Sequence, residues 1–258
     1  MLFWIESQPT PIIGVLVFAL CYGLAGMVFF AVMTISGRPI AEQLNATTPV
    51  MLTPLAVIAG LLIAFLASRV WSNLDRANSY VEQEASAIRE SVLLSDALPE
   101  DTRMAVRAAL KQYLGSIETD DWPEMARGGA NLRRIPLGLA NAMKALMSFR
   151  PVAPEQRLAQ ERAVIAVERA LEARRDRIVL SQATISPIQW LVIFLLAVLI
   201  LLTIAFVHLN RPATAVVNLI VFSTAIACCL VLLMVHDRPF GAGGVTVQPH
   251  ALRDISLD

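Results

Sequence analysis

Val50–Ser68 reads VMLTPLAVIAGLLIAFLAS, and Arg69-Val70-Trp71 follows at once. The stretch holds no Asp, Glu, Lys or Arg. An α-helix rises about 1.5 Å per residue and the hydrocarbon layer is about 30 Å thick, so a run of this length can cross a bilayer as a helix. Pro54 suits the first turn of a span that starts near Thr53. Three further stretches are uncharged and mostly apolar: Ile12–Thr34, Ser186–His208 and Pro212–Val235. A single stretch of this kind could be a buried core helix. Four of them in 258 residues point to membrane spans.

Composition excludes several classes. Hydrophobic residues make up 56% of the chain and charged residues 16%, against roughly 45–50% and 25% in soluble domains. So apolar a chain is not disordered. The 21 basic and 21 acidic residues cancel, which leaves no positive excess to neutralise phosphates, so no nucleic-acid partner is expected. Three cysteines in a chain of this length do not make a disulfide scaffold.

The charges are segregated. Residues 69–185 carry 17 of the basic and 16 of the acidic side chains. The expected organisation is an N-terminal hairpin over 1–68 (spans 12–34 and 50–68), a helical region over 69–185, a C-terminal hairpin over 186–236 (spans 186–208 and 212–235), and a tail over 237–258. The fold class is an all-α membrane protein with four transmembrane helices. Arg69 and Arg76 follow the second span, and Arg169, Arg174, Arg175 and Arg177 precede the third. Only Arg38 and Arg211 stand in the opposite loops. By the positive-inside rule the middle region and both termini are cytoplasmic. The N-terminal segment lacks the positive region of a cleavable signal, so the first span is expected to be retained. Trp4, Trp71 and Trp190 fall near span ends, where interfacial anchors sit.

The middle region reads as helices throughout. No Pro or Gly interrupts Arg69–Asp96, so the second span is expected to run on as one helix. Leu74, Val81, Ala85, Ile88 and Val92 mark its apolar face. Glu82, Glu84 and Arg89 are placed on the surface, as a solvated face or a charged vestibule. Pro99–Ile117 is a second helix with Val106, Leu110, Tyr113, Leu114 and Ile117 inward, capped by Ser95 or Asp96. Asp121-Trp122-Pro123-Glu124 reads as a turn opening a third, with Pro near the first helical position. Leu137–Phe149 and Glu155–Gln182 are further helices. In the last, Val164, Leu171 and Ile178 repeat every seven residues, as in helix–helix packing. Its four C-terminal arginines set topology and contact lipid, or draw anions toward a pore mouth.

Candidate site residues fall in four groups. Ala56, Gly60 and Ala64 recur at four-residue steps and form a small-residue packing face on the second span. Leu62, Phe65 and Arg69 lie on another face and are constriction candidates. Two arrangements are open: the small face packs while Leu62 and Phe65 narrow a pore, or the small face lines a wider one. In the first span, Ala19, Gly23 and Gly26 also read as close packing, with Tyr22 bonding inside the bundle. Asn218 is the strongly polar side chain inside a span, either an interhelical hydrogen bond or a path-lining group. At the end of the fourth span, His236, Asp237 and Arg238 join Glu82 and Glu84 as a cytoplasmic-mouth group. They make a turn-anchoring salt bridge or a gate. His236 could add pH sensitivity, because an unperturbed imidazole titrates near pH 6.5. Gly241, Gly243 and Gly244 follow, residues able to adopt positive φ. No span carries a charge near its middle, which argues against a proton-driven pump.

Enzyme readings are weak. Cys21, Cys228 and Cys229 lie in spans, and His208, His236 and His250 have no metal-ligand spacing. No phosphate loop or dinucleotide fingerprint is present. No catalytic residue, metal or cofactor is expected.

One order of features is more specific. Glu82-Gln83-Glu84-Ala85-Ser86-Ala87 is followed by Leu98-Pro99, Leu110-Lys111-Gln112-Tyr113 and Asp121-Trp122-Pro123. His236-Asp237-Arg238-Pro239-Phe240-Gly241 comes after the fourth span. In this order, within a four-span chain, these segments resemble the bacterial bestrophin-like domain family. The resemblance implies a multi-pass protein of the bacterial inner membrane. It also implies an oligomer, a pentamer by analogy with bestrophins, conducting inorganic ions through an apolar constriction on the second spans. The leading expectation is therefore an oligomeric anion channel with a helical vestibule. The alternative from another class is a membrane-anchored scaffold or sensor that binds a partner without conducting. A third resembles the flagellar stator and energy-transducing ring proteins, which need an acidic partner helix from a second protein.

Overall fold

The structure is a computed structural model that describes residues 8–34 and 39–257. Trp4 and Arg38 lie outside the described residues. In chain order the helices are α1 (Thr10–Met33), α2 (Pro39–Ser95), α3 (Glu100–Ser116), a π-helical turn (Ile117–Asp121), α4 (Trp122–Ala126), α5 (Leu137–Ser148), α6 (Pro154–Ser181), α7 (Pro187–Val207), α8 (Pro212–His236) and α9 (His250–Arg253). The described residues contain no strand. Four helical segments are long and apolar enough to cross a membrane: Thr10–Met33, Val50–Ser95, Pro187–Val207 and Pro212–His236. The protein is an all-α, multi-pass membrane protein.

The chain divides into two units. The first comprises Met1–Ser72, Thr184–Asp237 and Gly243–Val245; the second comprises Asn73–Ala183, Arg238–Ala242 and Thr246–Asp258. The expected boundaries differ at the tail, because residues 238–242 and 246–258 belong to the second unit.

In the membrane unit α1 packs on α7 and α8. Its buried face is Ile13, Val17, Cys21, Ala25, Val28 and Val32, at three- and four-residue steps. Ala19, Gly23 and Gly26 do not pack against another helix of the same chain: Ala19 and Gly23 are exposed, and the space around Gly23 and Gly26 is open. Tyr22 does bond within the bundle, its hydroxyl 2.9 Å from Thr224 Oγ1. The third span starts where expected, on a capping box. Ser186 Oγ accepts from Gln189 N at 3.3 Å, and Gln189 Oε1 accepts from Ser186 N at 3.0 Å. Pro54 does not open a helix, because α2 has already begun at Pro39. A proline inside a spanning helix is tolerated, since neighbouring groups can satisfy the freed carbonyl.

The second unit is built around the distal part of α2. Val81, Ala85, Ile88 and Val92 are buried as expected, against Val106, Leu110, Tyr113 and Ile117 from α3 and the π turn. No Ser or Asp side chain caps α3; Asp96 instead accepts from Arg107 Nη2 at 2.7 Å. On α6 the buried stripe is Ala159, Ala163, Ala166, Val167, Ala170 and Ala173, while Val164 and Leu171 of the heptad set are only half-buried. Short side chains let α6 lie close to its neighbours. The tail closes this core with Phe240, Val247, Leu252 and Ile255. Arg89 Nη2 donates to Ala251 O at 2.9 Å, and Arg107 Nη1 donates to Leu257 O at 3.1 Å.

Gly138 lets α5 lie directly against α3. A Cβ on Gly138 would stand 2.5 Å from Tyr113 Cβ and 2.6 Å from Ala109 O. Gly138→Ala is therefore expected to push α5 off α3 at a cost of about 1–3 kcal/mol. The effect is read as a lower midpoint of thermal unfolding in detergent. Gly115→Ala meets open space on the same helix pair and is the control that keeps or raises the midpoint.

Candidate functional site

The distinctive chemistry of the second unit is a set of charges inside its core. Arg177 and Glu84 are both fully buried. Arg177 grips Glu84 with two bonds, Nε to Oε2 at 2.7 Å and Nη2 to Oε1 at 3.1 Å. Arg174, also buried, grips Asp121 in the same way, with Nε to Oδ2 at 2.8 Å and Nη2 to Oδ1 at 2.9 Å. Arg177 Nη2 joins the pairs by reaching Asp121 Oδ2 at 3.4 Å. The Tyr113 hydroxyl donates to Glu84 Oε1. Arg177 Nη1 meets Met125 Sδ at 3.4 Å, and the guanidinium lies 5.1 Å from the Trp122 ring centroid. Phe240 stands edge-on to Trp122 at 5.6 Å between centroids.

Two arginines and two carboxylates sum to zero, so the cluster carries no net charge into the core. Taking such ions out of water costs several kcal/mol each, and only well-aligned bonds recover it. The fork-to-fork geometry supplies those bonds. Burial works against the charge on Arg177, but the carboxylates, Glu84 above all and then Asp121, outweigh it and raise its pKa. Burial, and then the Glu84 carboxylate, hold Tyr113 well above the ordinary phenol range. Tyr113 is therefore the hydrogen donor in its bond to Glu84.

The π turn aims Asp121 inward. Tyr113, Ile117, Asp121 and Met125 are all buried and lie four residues apart. On an α-helix of 3.6 residues per turn, three such steps drift by about 120°. The wider π turn takes up that drift and keeps all four on one face. The expected turn at Asp121–Glu124 is corrected accordingly, because the helix runs on through these residues. Pro123, which has no N–H to contribute, sits just after the loosened turn.

Several sequence expectations change here. Glu84 is not on a solvated face or at a mouth; it is a core residue, while Glu82 is exposed. Arg174 and Arg177 are not offered to lipid or ions, since both are occupied by carboxylates inside the core. Arg169 pairs with Glu90 at 3.2 Å on the surface.

In the membrane unit, Asp237 is buried and its Oδ1 accepts from Ile185 N at 2.9 Å, tying the end of α8 to the chain entering α7. His236 is half-buried, with Nδ1 2.9 Å from Leu232 O, and Arg238 is half-buried too. Asn218 Nδ2 is 3.0 Å from His208 Nε2, a bond between α8 and the end of α7. His208 had not been singled out as its partner. On α2, Leu62 is half-buried, Phe65 is 67% exposed, and Arg69 is exposed with Nη1 3.4 Å from Gln189 Oε1. Ala56, Gly60 and Ala64 are all exposed, and a Cβ on Gly60 would meet nothing within 4 Å. Trp71 is 49% exposed and Trp190 half-buried.

The buried cluster draws on the same segments that carry the family resemblance. Glu84 comes from the acidic-Ala segment, Tyr113 from Leu110–Tyr113, Asp121 and Trp122 from Asp121–Pro123, and Phe240 from the segment after the fourth span. These scattered motifs are parts of one packed assembly. Comparison with curated proteins and with solved structures gives no match. The Bestrophin-like domain matches residues 19–252, nearly the whole length. The chain belongs to the bestrophin-like domain family.

Proposed function

We propose that this protein forms a homo-oligomeric, anion-conducting channel of the bacterial inner membrane. In this reading the second spans surround the path and the helical units form a cytoplasmic vestibule, with both termini cytoplasmic. A pentamer is the subunit number that the likeness to bestrophins suggests. Family membership supports the reading, and one observation in this chain carries it: the second span is the least covered. Its most apolar window is 11% buried, against 28–39% in the other three spans. Its uncovered surface includes a small-residue face, Ala56-Gly60-Ala64, of the kind that lets helices approach closely in lipid. Phe65 and Leu61 stand beside that face, at 67% and 57% exposure. With the small face against a neighbouring subunit, Phe65 would turn toward the axis. An apolar ring of this kind gates by dewetting and needs no charged group.

Chloride efflux from liposomes holding the purified protein tests the proposal. The wild type is expected to release chloride, and Phe65→Ala to change the rate severalfold by widening the apolar ring. Absence of flux across a range of pH, Ca²⁺ and voltage would sink the channel reading and favour a scaffold.

A further inference from the structure

The loop between α4 and α5 combines exposed apolar and basic side chains in a way the core does not need. Leu132, Ile135 and Leu137 are 46%, 67% and 64% exposed. Arg127, Arg133 and Arg134 are interleaved with them and exposed as well. The loop is held in place at its base. Gly128, at φ 69°, ends α4, with Gly128 N bonded to Met125 O and Gly129 N to Glu124 O, both at 2.9 Å. Gln182 Nε2 donates to Ala130 O at 2.5 Å. Asn131 Oδ1 accepts from Arg133 N at 3.1 Å, which sets the turn that presents the next residues.

From this arrangement we propose that residues 127–137 dock on anionic phospholipid headgroups. The guanidinium groups would hold the phosphates, and Leu132, Ile135 and Leu137 would enter the boundary between headgroups and acyl chains. Water is a poor environment for three large apolar side chains within six residues. A surface that offers both negative charge and an apolar layer suits them better. The anchor favours lipid over a soluble partner, because Gln182 precedes the first residue of the third span, Pro187, by five residues. The loop is thus tied to the segment about to enter the membrane. Its acidic neighbours do not block the docking. Arg134 Nη1 lies 3.4 Å from Asp120 Oδ2 and 3.3 Å from Glu124 Oε1. These pairs are largely exposed and weak, so the guanidinium can exchange them for a phosphate. Arg127 and Arg133 make no ion pair among the described residues, and the local balance is positive.

The test uses the full chain in nanodiscs, with Cys21, Cys228 and Cys229 replaced by Ala and a nitroxide on Leu132→Cys. One set of discs is phosphatidylcholine alone, and the other contains phosphatidylglycerol. In anionic discs the nitroxide is expected to lose accessibility to a water-soluble nickel complex and gain accessibility to oxygen. High salt should reverse this change. Arg133→Gln/Arg134→Gln should abolish it, since each arginine near an anionic surface strengthens binding roughly five-fold. A nitroxide that stays aqueous in both lipids would overturn the proposal. Equal protection in both lipids would also overturn it, and would assign the loop to a protein contact instead.

Discussion

Arg177→Met is expected to leave the second unit unable to hold its native core, at a cost of about 3–5 kcal/mol. The arginine is fully buried and answers both carboxylates of the cluster. Without it, Glu84 keeps only the Tyr113 hydroxyl as a partner among the described residues, at a position with no exposed surface. An uncompensated buried charge is among the few changes that destabilise a protein this strongly. Arg177→Lys is not a conservative substitute, because an ammonium cannot reproduce the two-pronged grip on Glu84. The paired replacement Glu84→Leu/Arg177→Met removes one charge of each sign and leaves Arg174 with Asp121. It should recover a large part of the loss, as apolar replacements of buried pairs do. Limited proteolysis and thermal unfolding of the four proteins check this. If Arg177→Met melts like the wild type, the cluster is not what holds these helices together.

The second large effect concerns the turn after the fourth span. Gly244 has φ +81°, and a Cβ there would fall 2.2 Å from Val235 O. Val245 N donates to that same oxygen at 2.9 Å, so the chain returns onto the end of α8 with no room to spare. Gly244→Ala brings a left-handed penalty of roughly 1–2 kcal/mol. Steric overlap with a backbone atom adds to it, and the turn must move. The expected result is a clear drop in the yield of detergent-stable protein and in its melting temperature. An unchanged melting temperature would mean that the turn is not seated on α8 as described.

The spans were legible in the sequence because charge is excluded from hydrocarbon, and nothing else in the chain imitates a long uncharged apolar run. The continuation of the second span into the distal part of α2 was legible too, because a helix ends for identifiable reasons and Arg69–Ser95 contains no Pro or Gly; its start at Pro39, well before Pro54, was not. The buried cluster was misread because its charges were placed by their distance from the membrane instead of by helical phase. Glu84 falls among Val81, Ala85 and Ile88, on the apolar face itself. Arg174 and Arg177 continue the steps of Ala166, Ala170 and Ala173. A charge at a core phase on one helix calls for an opposite charge at a core phase on another, and that signal was present. What no spacing rule supplies is which helices meet. The π turn that brings Asp121 to Arg174 also breaks the 3.6-residue period from which phases are counted. The small-residue face of the second span was readable as a contact surface, but one chain does not specify the helix that covers it.

The channel account rests on the second span facing a path shared by several copies. Thiol block in the Phe65→Cys protein tests this most directly. The measurement is chloride efflux from liposomes before and after a charged, water-soluble methanethiosulfonate, with the native cysteines replaced by alanine. The account predicts that efflux is present and falls severalfold on modification at residue 65, because the reagent places a charged group in an apolar constriction. Efflux that continues unchanged after full modification, or efflux that never exceeds that of empty liposomes, would contradict it.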